Sequence, residues 1–478
     1  MSITDRSPAA SEAADPNLPS PDVAGTVARV REAYEAGHTR SLEWRREQLA
    51  GLVHMLEEEG PRFEAALAVD LGKPAVEGFA ADIGSTRGEI AQLRKHVARY
   101  AKPRKVKLPI NSKPGAGYVV PEPLGVALVV APWNYPIQLL LLPMAAAIAA
   151  GNAVVAKPSE IASATSAVLA EVLPRYVDAE AIAVIEGDVV VATELLEQRF
   201  DHIFYTGSTE VGRIVYQAAA RHLTPVVLEL GGKSPVLVDD SANIGVAARR
   251  LARGKWLNAG QTCVAPDYVL VTEKHRDALV DGMQAAFEEF AGGNGTKQND
   301  DFASIVTERH TSRLEALLTG HGGTIAFGGE VDPSVNHVEP TVIVDPDPAS
   351  PVMQEEIFGP ILPVITVESM EAAVDFVNAR AKPLALYVFA DDDDRADQLL
   401  AATSSGGACV NHVILHLTPP ELPFGGVGAS GIGRYHGQAG FDAFSNLRSV
   451  LKKPSRPDPK LLYPPYTSLK EKLIRRFI

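Results

Sequence analysis

From residue 124 onward, short apolar runs alternate with helical stretches, and this rhythm restricts the fold more than any other feature of the chain. LGVALVVA, AVVAKP, AIAVIEG, HIFYTG and PVVLELGG read as strands. Between them lie IQLLLLPMAAAIAAG, SATSAVLAEVL (opened by Ser163), VATELLEQ and GSTEVGRIVYQAAARHL, which read as helices. Apolar strands separated by helices predict a parallel sheet covered on both faces. A second such series runs over residues 233–416, with PVLVD, YVLVTE, LPVITV and LALYVFA as strands. Residues 23–102 are helical in pattern, as in TRSLEWRREQLAGLVHMLEEEG. Residues 103–123 are Lys/Pro/Gly-rich and predict a hairpin that leaves one domain and returns. No internal repeat is visible.

Composition narrows the function classes. The 478 residues carry 59 acidic and 45 basic side chains, a formal charge of −14, with no strong basic cluster before the tail. Nucleic acid is therefore an unsuitable partner. Two cysteines, Cys263 and Cys409, are too few for a disulfide scaffold and fit a reducing, cytoplasmic setting. The opening MSITDRSPAASEAADPNLPSPD lacks an apolar stretch; it reads as a disordered leader over 1–22, not a signal peptide. The longest apolar region is broken by Pro132-Trp133-Asn134-Tyr135-Pro136, leaving less than the ~20 residues a spanning helix needs. There is no HExxH, paired CxxC or calcium loop, so no metal is expected, and DDDD at 391–394 reads as a solvated loop.

Five places could carry chemistry. NAGQTCVAP puts Cys263 in a turn between a helix and a strand, where a thiol can be accessible and near backbone N–H groups. A lone cysteine is more often a buried, inert thiol, and Cys409, inside the apolar ACV, keeps that reading. Glu229 ends the strand PVVLEL at the carboxyl edge of the sheet, where α/β folds bind ligands. Asn134, in the stiff PWNYP turn, could offer its amide to an oxyanion. HIFYTGSTEVG gives a strand, glycines at 207 and 212 and a helix whose N-terminus could face a pyrophosphate, although it is neither G-x-G-x-x-G nor a P-loop. KPSE adds Lys157 and Glu160, a cation and a carboxylate suited to ribose hydroxyls.

Taken together, PWNYP, KPSE, FYTGSTEVG, LELGGKSP, NAGQTC, EEIFGP and LPFGGVGASGIG resemble, in order, the aldehyde dehydrogenase superfamily. NAGQTCVAPDY, PVMQEEIFGPILPV, KPLALYVFA and GRYHG are most similar to its class 3 branch, which takes fatty and aromatic aldehydes. The resemblance covers roughly residues 25–478, with Ala429 and Arg434 as departures in the glycine segment.

The resemblance implies an α/β fold with two doubly wound parallel-sheet domains and a small β bridging and oligomerisation element. Its parts would be an NAD(P)-binding domain (23–104 and 124–230), a catalytic domain (231–416), the bridging element (105–123 and 417–455) and a tail (456–478). It further implies that Cys263 attacks an aldehyde, Asn134 holds the oxyanion, and Glu229 activates the water that hydrolyses a thioester. Cofactor contacts would come from Trp133, Lys157, Glu160, Gly207, Ser208, Gly212, Leu230, Glu356 and Phe358. NAD is the expected cofactor, with NADP possible, and the assembly a homodimer. Three other readings compete: acyl transfer to coenzyme A, opposed by Glu229; a non-catalytic relative, opposed by the intact trio; and a cofactor-free cysteine hydrolase, for which no His partner is evident. In the tail, TSLKEKLIRRFI places Leu469, Leu473, Ile474, Phe477 and Ile478 on one face, opposite basic residues. Docking to a partner subunit or at a substrate entrance is favoured over weak peripheral membrane contact.

Overall fold

The computed structural model describes residues 21–477 except 294, 298 and 459; most of the expected leader therefore lies outside the described residues. Asp22 opens the first helix, Val23–Glu35, by accepting from the Gly25 N–H at 2.8 Å.

The first series forms a six-stranded sheet. Its order is Gly431–Ile432, Val226–Glu229, His202–Thr206, Val126–Val130, Ala153–Lys157 and Ile182–Val184, parallel apart from the antiparallel Gly431–Ile432 edge. The interior strand Val126–Val130 shows why the sequence runs are continuously apolar. Val126 and Leu128 pack with Val27 and Val30 on one face, while Ala127 and Val129 pack with Leu140 and Ala147 on the other. Both faces are buried, so period-two alternation disappears.

Helix Gln138–Ala150 is buried from Leu139 through Ala150, consistent with a helix apolar on every side that lies within a core. No helix among the described residues is long and apolar enough to cross a membrane.

The second series forms a seven-stranded sheet, ordered Thr324–Phe327, Thr341–Val344, Ile361–Val367, Tyr268–Thr272, Pro235–Val238, Ala385–Phe389 and Gly407–Val410. Only its Thr324–Phe327 edge is antiparallel. The excursion at 103–123 supplies strands Arg104–Val106 and Ala116–Pro123, which join Ser445–Lys452 in an antiparallel sheet. Two strands from the early hairpin and one from beyond residue 417 thus meet in a single three-stranded unit.

One local expectation holds and two are corrected. Ser163 opens helix Ser163–Val172, as the sequence reading expects, and the cap comes from elsewhere. Asp70, from helix Gly60–Leu71, accepts from Ala164 N (2.9 Å), Thr165 N (2.8 Å) and Thr165 Oγ1 (2.7 Å), so one helix caps another. The acidic run at 391–394 is no free loop: Asp392 caps helix Asp393–Ala402, and Asp393 and Asp394 occupy its positive first turn. Cys409 is partly exposed, because its strand is a sheet edge.

The Asp70 cap is directly testable. Asp70→Ala should lower stability to chemical denaturation by about 1–2 kcal/mol, the usual worth of a lost side-chain cap. An unchanged midpoint would contradict the assignment.

Candidate active site

Glu229 is carried to the site by an interior strand and fixed there by backbone bonds. Its carbonyl accepts from Gly207 N at 3.0 Å, and Leu230 N donates to Ser430 O at 3.1 Å. Gly431 pairs with Glu229 in the antiparallel register. The side chain is 3% exposed, and neither carboxylate oxygen has a hydrogen-bond partner. Burial raises its pKa well above the ordinary value, with the Arg434 guanidinium as the opposing influence. Arg434 itself ties the glycine segment together, donating to Gly406 O at 2.7 Å and Gly425 O at 2.8 Å.

Cys263 lies just beyond a turn with unusual backbone. Asn258 and Ala259 adopt left-handed angles, φ 52° and 48°, and Gly260 follows at φ 72°. A Cβ at Gly260 would strike the carbonyl of Gly359, so the turn and the Glu356 loop approach through glycine alone. Cys263 is partly exposed, less open than a free loop thiol. Burial pushes the thiol up to about 12; Glu356 and Glu229 act in the same direction, while the N–H groups of Cys263 and Val264 oppose them.

Asn134 is 2% exposed, and its Nδ2 donates to Gln261 O at 3.0 Å. An amide nitrogen carries two N–H groups, so one fixes the side chain and the other remains. Its Oδ1 has no partner.

Cys263, Glu229 and Asn134 line one cavity of about 250 Å³. Trp133, Gly207, Ser208, Leu230, Glu356 and Phe358 share its wall. Lys157, Glu160 and Gly212 are not among the lining residues. Lys157 is buried at the end of the neighbouring strand and donates to Glu160 Oε2 at 3.1 Å. Gly212 is buried in helix Thr209–Ala220, where a Cβ would press on Leu230. Ser208 Oγ caps that helix, accepting from Val211 N at 3.3 Å.

The loop bearing Glu356 and Phe358 is held by residues to which the sequence motifs assign no role. Lys233 pairs with Asp267 and donates to Val352 O and Glu355 O, each at 2.8 Å. Asp267 in turn accepts from Ile357 N at 3.0 Å, and Lys255 donates to Gly359 O at 3.0 Å. Arg313 reaches Glu356 O at 3.3 Å and also Ile357 O. With these ties, Phe358 keeps a left-handed φ of 49°, strained for an aromatic residue.

His310 and Arg313, three apart on helix Glu308–Leu317, also line the cavity. Their spacing on one helical face was the available signal, but an amphipathic helix gives no indication of a cavity wall. His310 packs edge-on to Trp133 at 5.1 Å, and Trp133 to Phe358 at 5.4 Å. Burial lowers His310 to about 4, so this imidazole is neutral near pH 7.

Several buried polar atoms at the cavity are left without partners. Glu229 Oε1 and Oε2, Thr206 Oγ1 and Asn134 Oδ1 are buried without partners beside the cavity. Gly231 lets Glu356 approach the backbone closely, since a Cβ there would collide with the carboxylate. No group of three or more His, Cys, Asp or Glu side chains suited to a metal occurs among the described residues.

Glu356 generates a pH prediction. Burial, reinforced by Asp267, pushes its carboxyl up to about 8 from an ordinary 4.5. The folded chain then binds this proton more tightly than the unfolded chain, so its stabilisation is complete below 4.5 and is lost as pH rises through about 8. The stability difference between wild type and Glu356→Gln, measured without cofactor, should shift against wild type between about pH 5 and about pH 8.5. A flat difference would refute the assignment.

The aldehyde dehydrogenase family model matches residues 7–450. Mouse aldehyde dehydrogenase family 3 member A2 is 45% identical over 95% of this chain and 93% of its own length. The rat dimeric NADP-preferring aldehyde dehydrogenase is 46% identical over 90% and 94%. The substrate-bound Staphylococcus aureus AldH structure superposes with a TM-score of 0.92 at 41% identity, covering 95% of this chain and 99% of that one. A Mycobacterium tuberculosis aldehyde dehydrogenase complexed with NAD+ gives a TM-score of 0.83 at 26% identity, covering 92% of each. The chain therefore belongs to the aldehyde dehydrogenase family, as an NAD(P)-dependent oxidoreductase of aldehydes in its class 3 branch.

Proposed function

We propose that the chain oxidises medium- or long-chain aliphatic or aromatic aldehydes to carboxylic acids through covalent intermediates on Cys263. The observation that carries this reading is the opening of Cys263, Glu229 and Asn134 onto one cavity.

The Cys263 thiol and the Glu229 carboxyl both resist ionisation where they lie. The thiol first gives up its proton to solvent water, so this half of the reaction does not depend on Glu229. The sulfur then adds to the carbonyl carbon, forming a C–S bond and an oxyanion. The free N–H of Asn134 and the backbone N–H of Cys263 are the donors for that oxygen; losing one such donor typically costs ~10²-fold in rate. A bound dinucleotide supplies the hydride acceptor. Once the carbon is oxidised, Cys263 carries a thioester. Glu229 takes a proton from water, the water oxygen attacks the thioester, and the sulfur leaves.

The dinucleotide would be held by Lys157 and Glu160 at the adenosine ribose, with Glu160 favouring NAD. Gly207, Ser208 and the helix beginning at Thr209, which Gly212 lets pack against Leu230, would take the pyrophosphate. Trp133, Glu356 and Phe358 would flank the nicotinamide end. A homodimer is part of the proposal, as is the division into a cofactor part, a catalytic part and the three-stranded bridging sheet. The rat relative is named as dimeric. The helix Ser468–Phe477, with Leu469 exposed, would dock on a partner subunit or at a substrate entrance. Strong liposome binding lost on deleting 467–478 would favour membrane contact instead.

Single-turnover kinetics separate the two halves of the reaction. Glu229→Gln should retain a stoichiometric burst of NADH with a medium-chain aldehyde while steady-state turnover falls by about 10²-fold or more. Cys263→Ala should show neither phase. Normal steady-state rates in either variant would end this reading, and acyl-CoA formation on adding coenzyme A would favour the acylating alternative.

A further inference from the structure

At the backbone of Asn134, a buried ammonium is fully committed to its neighbours. Lys73 Nζ donates to Asp82 Oδ2 at 2.8 Å and to the backbone carbonyl of Asn134 at 3.0 Å. The ammonium also lies 4.2 Å from the centroid of the Tyr135 ring. Both side chains of the ion pair are 0% exposed. An ammonium has three N–H groups, and these three neighbours account for them.

The carbonyl of Asn134 has a second donor. Asn258 Nδ2 reaches it at 3.0 Å and also reaches Gln261 O at 3.1 Å, the same carbonyl that accepts from the Asn134 amide. Asn258 is the first left-handed residue of the Cys263 turn, and its own N–H donates to Glu77 Oε1 at 2.7 Å. Tyr135 extends the link, its hydroxyl 2.7 Å from Thr262 Oγ1, next to Cys263. Asp82 belongs to the π-helical segment Gly78–Gly84, and its other oxygen accepts from Gln138 N at 3.3 Å. Such π-helical turns frequently mark functional positions.

We infer that the Lys73–Asp82 ion pair is a positioning unit for the reaction: it clamps the Asn134 backbone, and through Asn258 and Gln261 it fixes the Asn134 amide relative to Cys263. Burying two charges costs more than an apolar pair of the same volume, so stability alone is a weak reason for them here. What the pair provides is direction. A carbonyl held by two donors at about 3.0 Å leaves the attached residue little freedom. This inference rests on the oxyanion role proposed for Asn134.

A double-mutant cycle between Lys73 and Asn134 tests it. Lys73→Met should lower kcat/KM for aldehyde by about 10-fold or more, since small misplacements of a transition-state donor are costly. The dissociation constant for NAD should stay within about 2-fold. In an Asn134→Ala background the same substitution should cost less than about 3-fold, because nothing remains for the clamp to aim. Lys73→Met strands the Asp82 charge and can unfold the protein, so Lys73→Met/Asp82→Leu, which removes both charges, is measured alongside. Equal losses in the two backgrounds would mean a general structural role and would overturn the inference, as would wild-type kcat/KM in a folded variant. Failure of both variants to fold would overturn it too, by tying the pair to folding. If Asn134→Ala alone keeps full activity, the oxyanion reading fails instead.

Discussion

The arrangement turns on the desolvation of Glu229. A carboxyl 3% exposed with no hydrogen-bond partner on either oxygen is costly, and it persists because the backbone on both sides is fully engaged. Strand His202–Thr206 pairs with it on one side, and the Gly431–Ile432 strand returns from far along the chain to pair on the other. The glycine density around residue 431 follows from this closure. Side chains there would strike carbonyls such as Leu228 O, so the late segment can seal the sheet edge only as bare backbone.

Electrostatics around the cavity follow one pattern. Cys263, Glu229 and Glu356 gather acidic groups in a dry place, and all three are driven toward their neutral forms. The nearby cations are largely spent on the backbone. Lys233, Lys255, Arg313 and Arg434 each bond peptide carbonyls, holding the Glu356 loop and the glycine segment in place. The charges of Arg434 on Glu229, and of Lys233 and Arg313 on Glu356, oppose these shifts without overcoming burial.

The fold was legible because its strands are buried on both faces, which writes them as unbroken apolar runs such as LGVALVVA. The cavity wall was legible where residues lie next to turns at strand ends, as with Glu229, Gly207 and Cys263. Lys73, Asp82 and Asn258 were not, since each reads locally as an ordinary polar residue and its partner comes from a distant element. His310 and Arg313 were hidden for a similar reason: a helix face of mixed polarity resembles any solvent-facing surface. The cap on the helix that Ser163 opens was hidden in the same way, because its oxygen belongs to Asp70, more than ninety positions away. Arg434, a departure within a glycine motif, proved to be the tie between Gly406 and Gly425.

The central claim is that Cys263 forms a covalent acyl bond inside the cavity it shares with Glu229 and Asn134. Mass spectrometry of acid-quenched Glu229→Gln enzyme, mixed with aldehyde and NAD and then digested, reads this directly. The peptide containing Cys263 should gain the mass of the acyl group, and the peptide containing Cys409 should not. No adduct under conditions that yield NADH, or an adduct confined to Cys409, would contradict the account.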